Sequence, residues 1–167
     1  EERARNLELF TWIHAGTFDL KAGLLLDPLS VAFVLLVTFV GSLIHVYSVA
    51  YMEHDVDRRR FFAYLNLFVA SMLLLVLADS YALLYVGWEG VGLASYLLIG
   101  FWFVKDTAAV ASKKAFIGNR VGDVGFLLGV MFLIAWTGSV NFERVFASAP
   151  HLFTAGGSII TIATLLM

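Results

Sequence analysis

Four ionisable side chains lie inside long apolar stretches of this sequence: His45, Glu89, Arg120 and Asp123. Held at mid-bilayer depth, such a group costs a few kcal/mol, so it normally faces a protein interior or a water-filled path. Desolvation disfavours a buried carboxylate's charged form, and a nearby cation favours it. A carboxylate beside a cation whose distance or charge changes can therefore load and release a proton. Hydroxyls and imidazoles spaced along the same faces could hold the waters that connect it. Tyr85, Glu89, Gly92 and Tyr96 follow i, i+4, i+7, i+11 and form one lane. Thr38, Ser42, His45 and Ser48 form a second. Gly118, Gly122, Gly125 and Gly129 make a small-residue face, and Lys113, Arg120 and Asp123 lie on the opposite side of the same helix. That face predicts close backbone packing against one neighbour, with the charges offered to another.

Bland readings compete with each of these. Glu89 could be a neutral, hydrogen-bonded structural residue. Arg120 and Asp123, at i,i+3, could simply neutralise one another. His45 could be a satisfied interior histidine. The buried charges could do no more than fix packing in a structural membrane subunit.

The elements that would position these residues are membrane spans. Hydrophobic residues make up 60% of the 167 and charged residues only 14%, where a soluble domain carries nearer a quarter. Apolar stretches cover about 28–51, 61–78, 80–104 and 112–137, and a fifth begins near Gly156. The first four meet the requirement of about 20 residues for a crossing, the second only just. Asp27-Pro28 places a cap before a first-turn proline, and Asp79-Ser80 makes a very short turn between antiparallel neighbours. Glu89 then lies roughly 14 Å from the start of its span at 1.5 Å per residue. All four ionisable groups fall in one central band.

Outside the spans, Leu7–Ala15 and Phe18–Leu26 mix β-formers with polar residues around Ala15-Gly16-Thr17. They predict a β-hairpin outside the bilayer; a frayed helix end is the competing reading. The segment 138–155, with Asn141, Glu143 and Arg144, could hold a short interfacial helix. The expected organisation is an extramembrane segment over 1–27 and an all-α transmembrane bundle over 28–167. Because residue 1 is Glu and the last stretch is still apolar at Met167, the chain is expected to be an internal portion of a longer polypeptide.

Basic residues divide six against four. Arg58, Arg59, Arg60, Lys105, Lys113 and Lys114 fall at one end; Arg3, Arg5, Lys21 and Arg144 fall at the other. The excess predicts that the first end is cytoplasmic or its equivalent. Tyr51, Trp102 and Trp136 near the span ends read as interfacial anchors. The net charge of −2 argues against a nucleic-acid partner. With no cysteine in the chain there is no thiolate nucleophile, no disulfide and no cysteine-held metal or cluster.

The run LLYVGWEGVGLASYLLIGF (Leu83–Phe101) resembles the signature of the largest antiporter-like subunit of proton-pumping NADH:quinone oxidoreductase, respiratory complex I. LLLDPLS (Leu24–Ser30), LIHVYSVAYM (Leu43–Met52), RRRFFAYLNLF (Arg58–Phe68) and KKAFIGNRVGD (Lys113–Asp123) resemble further stretches in order and spacing. The resemblance implies that Glu89 is the carboxylate of a proton channel, with Asp123 its acidic companion and Arg120 and His45 nearby. It implies a tuning lysine in the next span, which lies beyond Met167. It assigns no catalytic residue and no metal to this chain. NADH, FMN, iron–sulfur clusters and quinone would sit on partner subunits. Other membrane-arm and antiporter-like subunits, and lipid, would be the partners, with protons the only substrate. The location would be a bacterial plasma membrane or a mitochondrial inner membrane. The large subunit of multisubunit cation/proton antiporters resembles the same family and is the alternative.

Overall fold

The computed structural model describes residues 4–16, 18–153 and 157–166. A hairpin of β1 (Arg5–Ala15) and β2 (Phe18–Leu26) precedes α1 (Pro28–Tyr51), α2 (Arg58–Val76), α3 (Tyr81–Ile99), α4 (Asp106–Thr137), α5 (Phe142–Leu152) and α6 (Ser158–Leu166). Of these, α1 to α4 are each long and apolar enough to cross a membrane. The chain is an all-α membrane bundle with a small antiparallel sheet, as its composition and hydropathy pattern lead one to expect. Arg3, Thr17, the expected helix start at Gly156, and Met167 lie outside the described residues.

Local chemistry sets the element ends. The Asp27 carboxylate accepts from Ser30 N (2.7 Å), and Ser30 Oγ accepts from Asp27 N (2.8 Å), closing a capping box around Pro28. Ser80 caps α3 and Asn141 caps α5. At φ +68°, Gly138 ends α4 in the left-handed conformation that glycine reaches without a Cβ penalty. The hairpin turn uses Gly16 at φ +62°. Its register shifts between Glu8 and Phe10 and between Thr11 and Ile13.

Three boundaries differ from the sequence expectation. Helix α2 begins at Arg58 rather than 61, because 58–60 continue the helical turn set off by Asp57. At the other end of its range, α3 stops at Ile99, and 100–104 form turns. Helix α4 starts at Asp106 rather than 112, so of the lysines counted at that end only Lys105 lies in the α3–α4 connection, with Lys113 and Lys114 inside the helix.

The helices pack in sequence order, α1 on α2, α2 on α3 and α3 on α4, with α5 and α6 both against α4. The α2–α3 seam is the closest. A Cβ on Gly87 would lie 2.6 Å from Leu75 N, and one on Gly90 would lie 2.5 Å from Ser71 Oγ. Leu83 and Ala94 are buried on the same arc. Because that arc faces α2, the opposite arc, with Tyr85, Glu89 and Tyr96, is left for α4.

The loops gather at two ends. At one, Trp102 Nε1 donates to Asp55 Oδ2 (2.9 Å) and Arg60 Nη2 donates to the Phe101 carbonyl (3.1 Å). This ties the α1–α2 and α3–α4 connections together. At the other, Leu25 N donates to Leu77 O (2.8 Å), Tyr81 N to Val140 O (2.9 Å) and Phe142 N to Asp79 O (3.1 Å). Asp79, 2% exposed, also accepts from Gly23 N at 3.2 Å. The hairpin thus docks on the α2–α3 turn, and Leu20 of β2 packs with Val130 and Val140.

Candidate functional site

Glu89 on α3 and Arg120 on α4 form an ion pair across the helix seam, with side chains 26% and 34% exposed. Arg120 also pairs with Asp123 on its own helix, Nη1 to Oδ2 at 3.2 Å. Asp123 is buried, and its other oxygen accepts from Trp88 Nε1 at 2.8 Å. The guanidinium lies over the Phe116 ring, 4.3 Å from its centroid. One cation therefore serves two carboxylates on two helices. At formal charges the trio carries one excess negative charge, so a single added proton brings it to zero. Glu89 Oε1 and Arg120 Nε are buried with no hydrogen-bond partner among the described residues. Buried polar atoms are normally hydrogen-bonded, so these two set the trio apart from the rest of the seam.

Two lane residues flank the trio. Tyr85 interacts with Glu89, and its ring stacks on Phe126 at 5.8 Å. Tyr96 packs on Phe116 at 5.0 Å. Lys113 lies further along α4 and forms no hydrogen bond or ion pair with a described residue; it lines a pocket with Tyr96.

His45 is not part of this cluster. Its Nδ1 donates to Gly41 O at 2.7 Å, and its ring faces Phe62 of α2 at 6.2 Å. Its Nε2 is buried without a partner among the described residues. Shared depth put His45 level with Glu89, but α1 packs against α2, which stands between. Two other residues of the α1 lane are likewise turned to their own backbone. Thr38 donates to Val34 O and Ser42 to Thr38 O, each at 2.7 Å, while Ser48 is buried. In an apolar helix a hydroxyl satisfies itself on the preceding turn, so these residues form no chain toward Glu89.

The small-residue face of α4 is only partly used. A Cβ on Gly125 would meet Leu166 O of α6 at 3.1 Å, and Gly129 is buried; Gly118 and Gly122 meet no described atom within 4 Å. Sequence reasoning missed Trp88. A tryptophan within an apolar span needs an acceptor for its N–H, and that need was the available signal. Among the described residues no three His, Asp or Glu side chains are gathered as a metal site would need.

A charged trio inside a bundle of four candidate spans among the described residues defines a polytopic membrane protein with an ionised centre. Comparison with known proteins places it more closely. The chain belongs to the family described as NADH:quinone oxidoreductase/Mrp antiporter, TM, which residues 78–167 match. Residues 12–62 match the N-terminus of NADH-ubiquinone oxidoreductase (complex I) chain 5. The chain is 58% identical to NADH-quinone oxidoreductase subunit L of Mycobacterium tuberculosis over 99% of its length and 26% of that protein's. It is 44% identical to subunit L of Escherichia coli over 99% of this chain and 27% of the relative. NADH-ubiquinone oxidoreductase chain 5 of Neurospora crassa is 43% identical over 96% of this chain and 22% of that one. The chain thus spans about a quarter of the length of these relatives. The fold is also that of a chain in the Mrp complex from Dietzia sp. DQ12-45-1b, with TM-score 0.76, 22% identity, and coverage of 99% of this chain and 18% of that one.

Proposed function

We propose that this chain is part of a proton-translocating membrane-arm subunit of NADH:quinone oxidoreductase, and that Glu89 is its mid-membrane proton carrier. The observation that carries the reading is the sharing of Arg120 between Glu89 and Asp123. A proton arriving at Glu89 cancels one of the guanidinium's two counter-charges, and Arg120 then settles on Asp123. When the proton leaves, Glu89 recovers its claim on the cation. Trp88 holds Asp123 in place through this exchange. Electron transfer, with NADH, FMN, iron–sulfur clusters and quinone, takes place on partner subunits. This chain contributes proton movement alone. The α1–α2 and α3–α4 connections face the cytoplasm or matrix, following the excess of basic residues at that end.

The test is Glu89→Gln in the full-length protein within its complex. Coupled proton pumping is expected to fall at least tenfold with assembly intact, and Asp123→Asn to give a milder loss. Near-normal pumping by an assembled Glu89→Gln enzyme would overturn the assignment.

A second reading is favoured by the family description, which names the Mrp antiporter as well. In that reading the same trio exchanges protons for a cation. The two separate on one measurement: whether proton movement by the assembled protein follows NADH oxidation or an imposed cation gradient.

A further inference from the structure

At the end where the α1–α2 and α3–α4 connections meet, a pocket of about 380 Å³ opens between α2, α3 and α4. That volume is within the range of small-molecule sites. Its polar lining is Arg60, Lys113, Tyr64, Tyr96 and Ser112, with no carboxylate among the lining residues. Arg60 is fixed. Its Nη2 donates to Asp57 Oδ2 (3.0 Å) and to the Phe101 carbonyl (3.1 Å), and its guanidinium lies 4.9 Å from the Phe101 ring centroid and 5.2 Å from that of Phe103. Its Nε is buried with no acceptor among the described residues.

We propose that this pocket binds a phosphate group, supplied by the headgroup of an anionic phospholipid. Asp57 already offsets Arg60, and Lys113 has no partner among the described residues. The pocket therefore carries about one uncompensated positive charge, which matches a phosphodiester monoanion. Charge-assisted bonds to phosphate oxygens would be made by the Lys113 ammonium and by the Arg60 guanidinium, which lines the pocket. Neither the Tyr64 nor the Tyr96 hydroxyl bonds to a described residue, so both are free to donate, whereas Ser112 already donates to Ala109 O at 3.0 Å. The level of the pocket favours a lipid source. Lys105 lies 4.8 Å from the Trp102 ring, and Trp102 bonds to Asp55. Such basic and aromatic groupings stand where spanning helices meet headgroups. Leu97, Phe101 and Phe103 supply apolar wall for the glycerol and upper acyl chain.

The experiment uses the full-length protein in its complex, delipidated and returned to nanodiscs of phosphatidylcholine with or without phosphatidylglycerol. Native mass spectrometry reads retained lipid. Phosphatidylglycerol is expected to be retained over phosphatidylcholine, with retention about fivefold weaker in Lys113→Gln. Arg60→Lys, which keeps the charge but removes the planar guanidinium fork, should also weaken it, and Lys114→Gln, outside the pocket, should not. Lys113 is exposed and holds no intramolecular bond, so its loss leaves the fold intact. A second arm measures inorganic phosphate binding in nanodiscs of phosphatidylcholine alone. Phosphate binding lost in Lys113→Gln, without a phosphatidylglycerol preference, would support the phosphate site and assign it to a free anion. Neither ligand bound, or both bound equally by wild type and Lys113→Gln, overturns the proposal.

Discussion

The Arg120 guanidinium on α4 reaches across to the Glu89 carboxylate on α3 while remaining 3.2 Å from Asp123 on its own helix. Removing the cation should therefore cost more than removing either carboxylate. Arg120→Gln leaves two carboxylates facing each other with no counter-charge. Breaking a buried pair costs about 3–5 kcal/mol; Arg120 is a third exposed, so about 2 kcal/mol is expected here. Adding Glu89→Gln should recover part of the loss. A double-mutant cycle on thermal stability, in which the double variant is no better than Arg120→Gln alone, would contradict the shared-cation geometry.

Trp88→Phe deletes the donor to Asp123 and also shrinks the indole to a phenyl ring, so the bond is isolated only by comparing two backgrounds. A hydrogen bond to a charged group contributes about 1.5–3 kcal/mol. The loss should appear in the wild-type background and shrink when Asp123 is already Asn. Equal losses in both backgrounds, measured by melting temperature, would mean the bond has no energetic role.

Gly87→Ala places a methyl 2.6 Å from the Leu75 backbone nitrogen. Backbone cannot turn aside as a side chain can, so α2 and α3 must separate. A loss of about 1–3 kcal/mol is expected from such overpacking. Cross-linking yield between cysteines introduced on the two helices should fall with it.

The hairpin carries a pH-dependent pair. His14 Nδ1 bonds to the Asp19 carboxylate across the strands. That bond raises the His14 pKa above its ordinary 6.5 and lowers that of Asp19 below its ordinary 3.8. The histidine's contribution is complete below about pH 6.5 and is lost as pH rises through its raised value; the aspartate's is complete above about pH 4 and is lost as pH falls through its lowered value. The pair should therefore hold best between about pH 4 and 6.5. An NMR titration of His14 should move toward the ordinary histidine range in Asp19→Asn. An unchanged midpoint would show that the pair does not form in solution.

Much of the fold was legible because membrane spans announce themselves by length and hydropathy. Pro28–Tyr51 appears in the structure with the bounds that its capping residues and composition predict. The hairpin was legible from strand-formers on either side of Gly16. Helix ends near charged residues were less so. Arg58–Arg60 and Asp106–Ala111 fall outside the apolar stretches yet belong to α2 and α4, since a helix can run past its apolar core where its end meets water.

By itself the sequence determined which residues are too costly to leave unpaired at mid-membrane depth: Glu89, Arg120, Asp123 and His45. Periodicity also determined which of them share a helical face. Only the tertiary structure decided who meets whom. Depth and face are properties of one helix, whereas neighbours depend on how helices are ordered and how closely they approach. Gly87 and Gly90 draw α3 onto α2, turning Glu89 toward Arg120 on α4 and leaving His45 on the far side against Phe62. Trp88 entered the site for the same reason: its indole reaches Asp123 only because α4 lies against that face of α3.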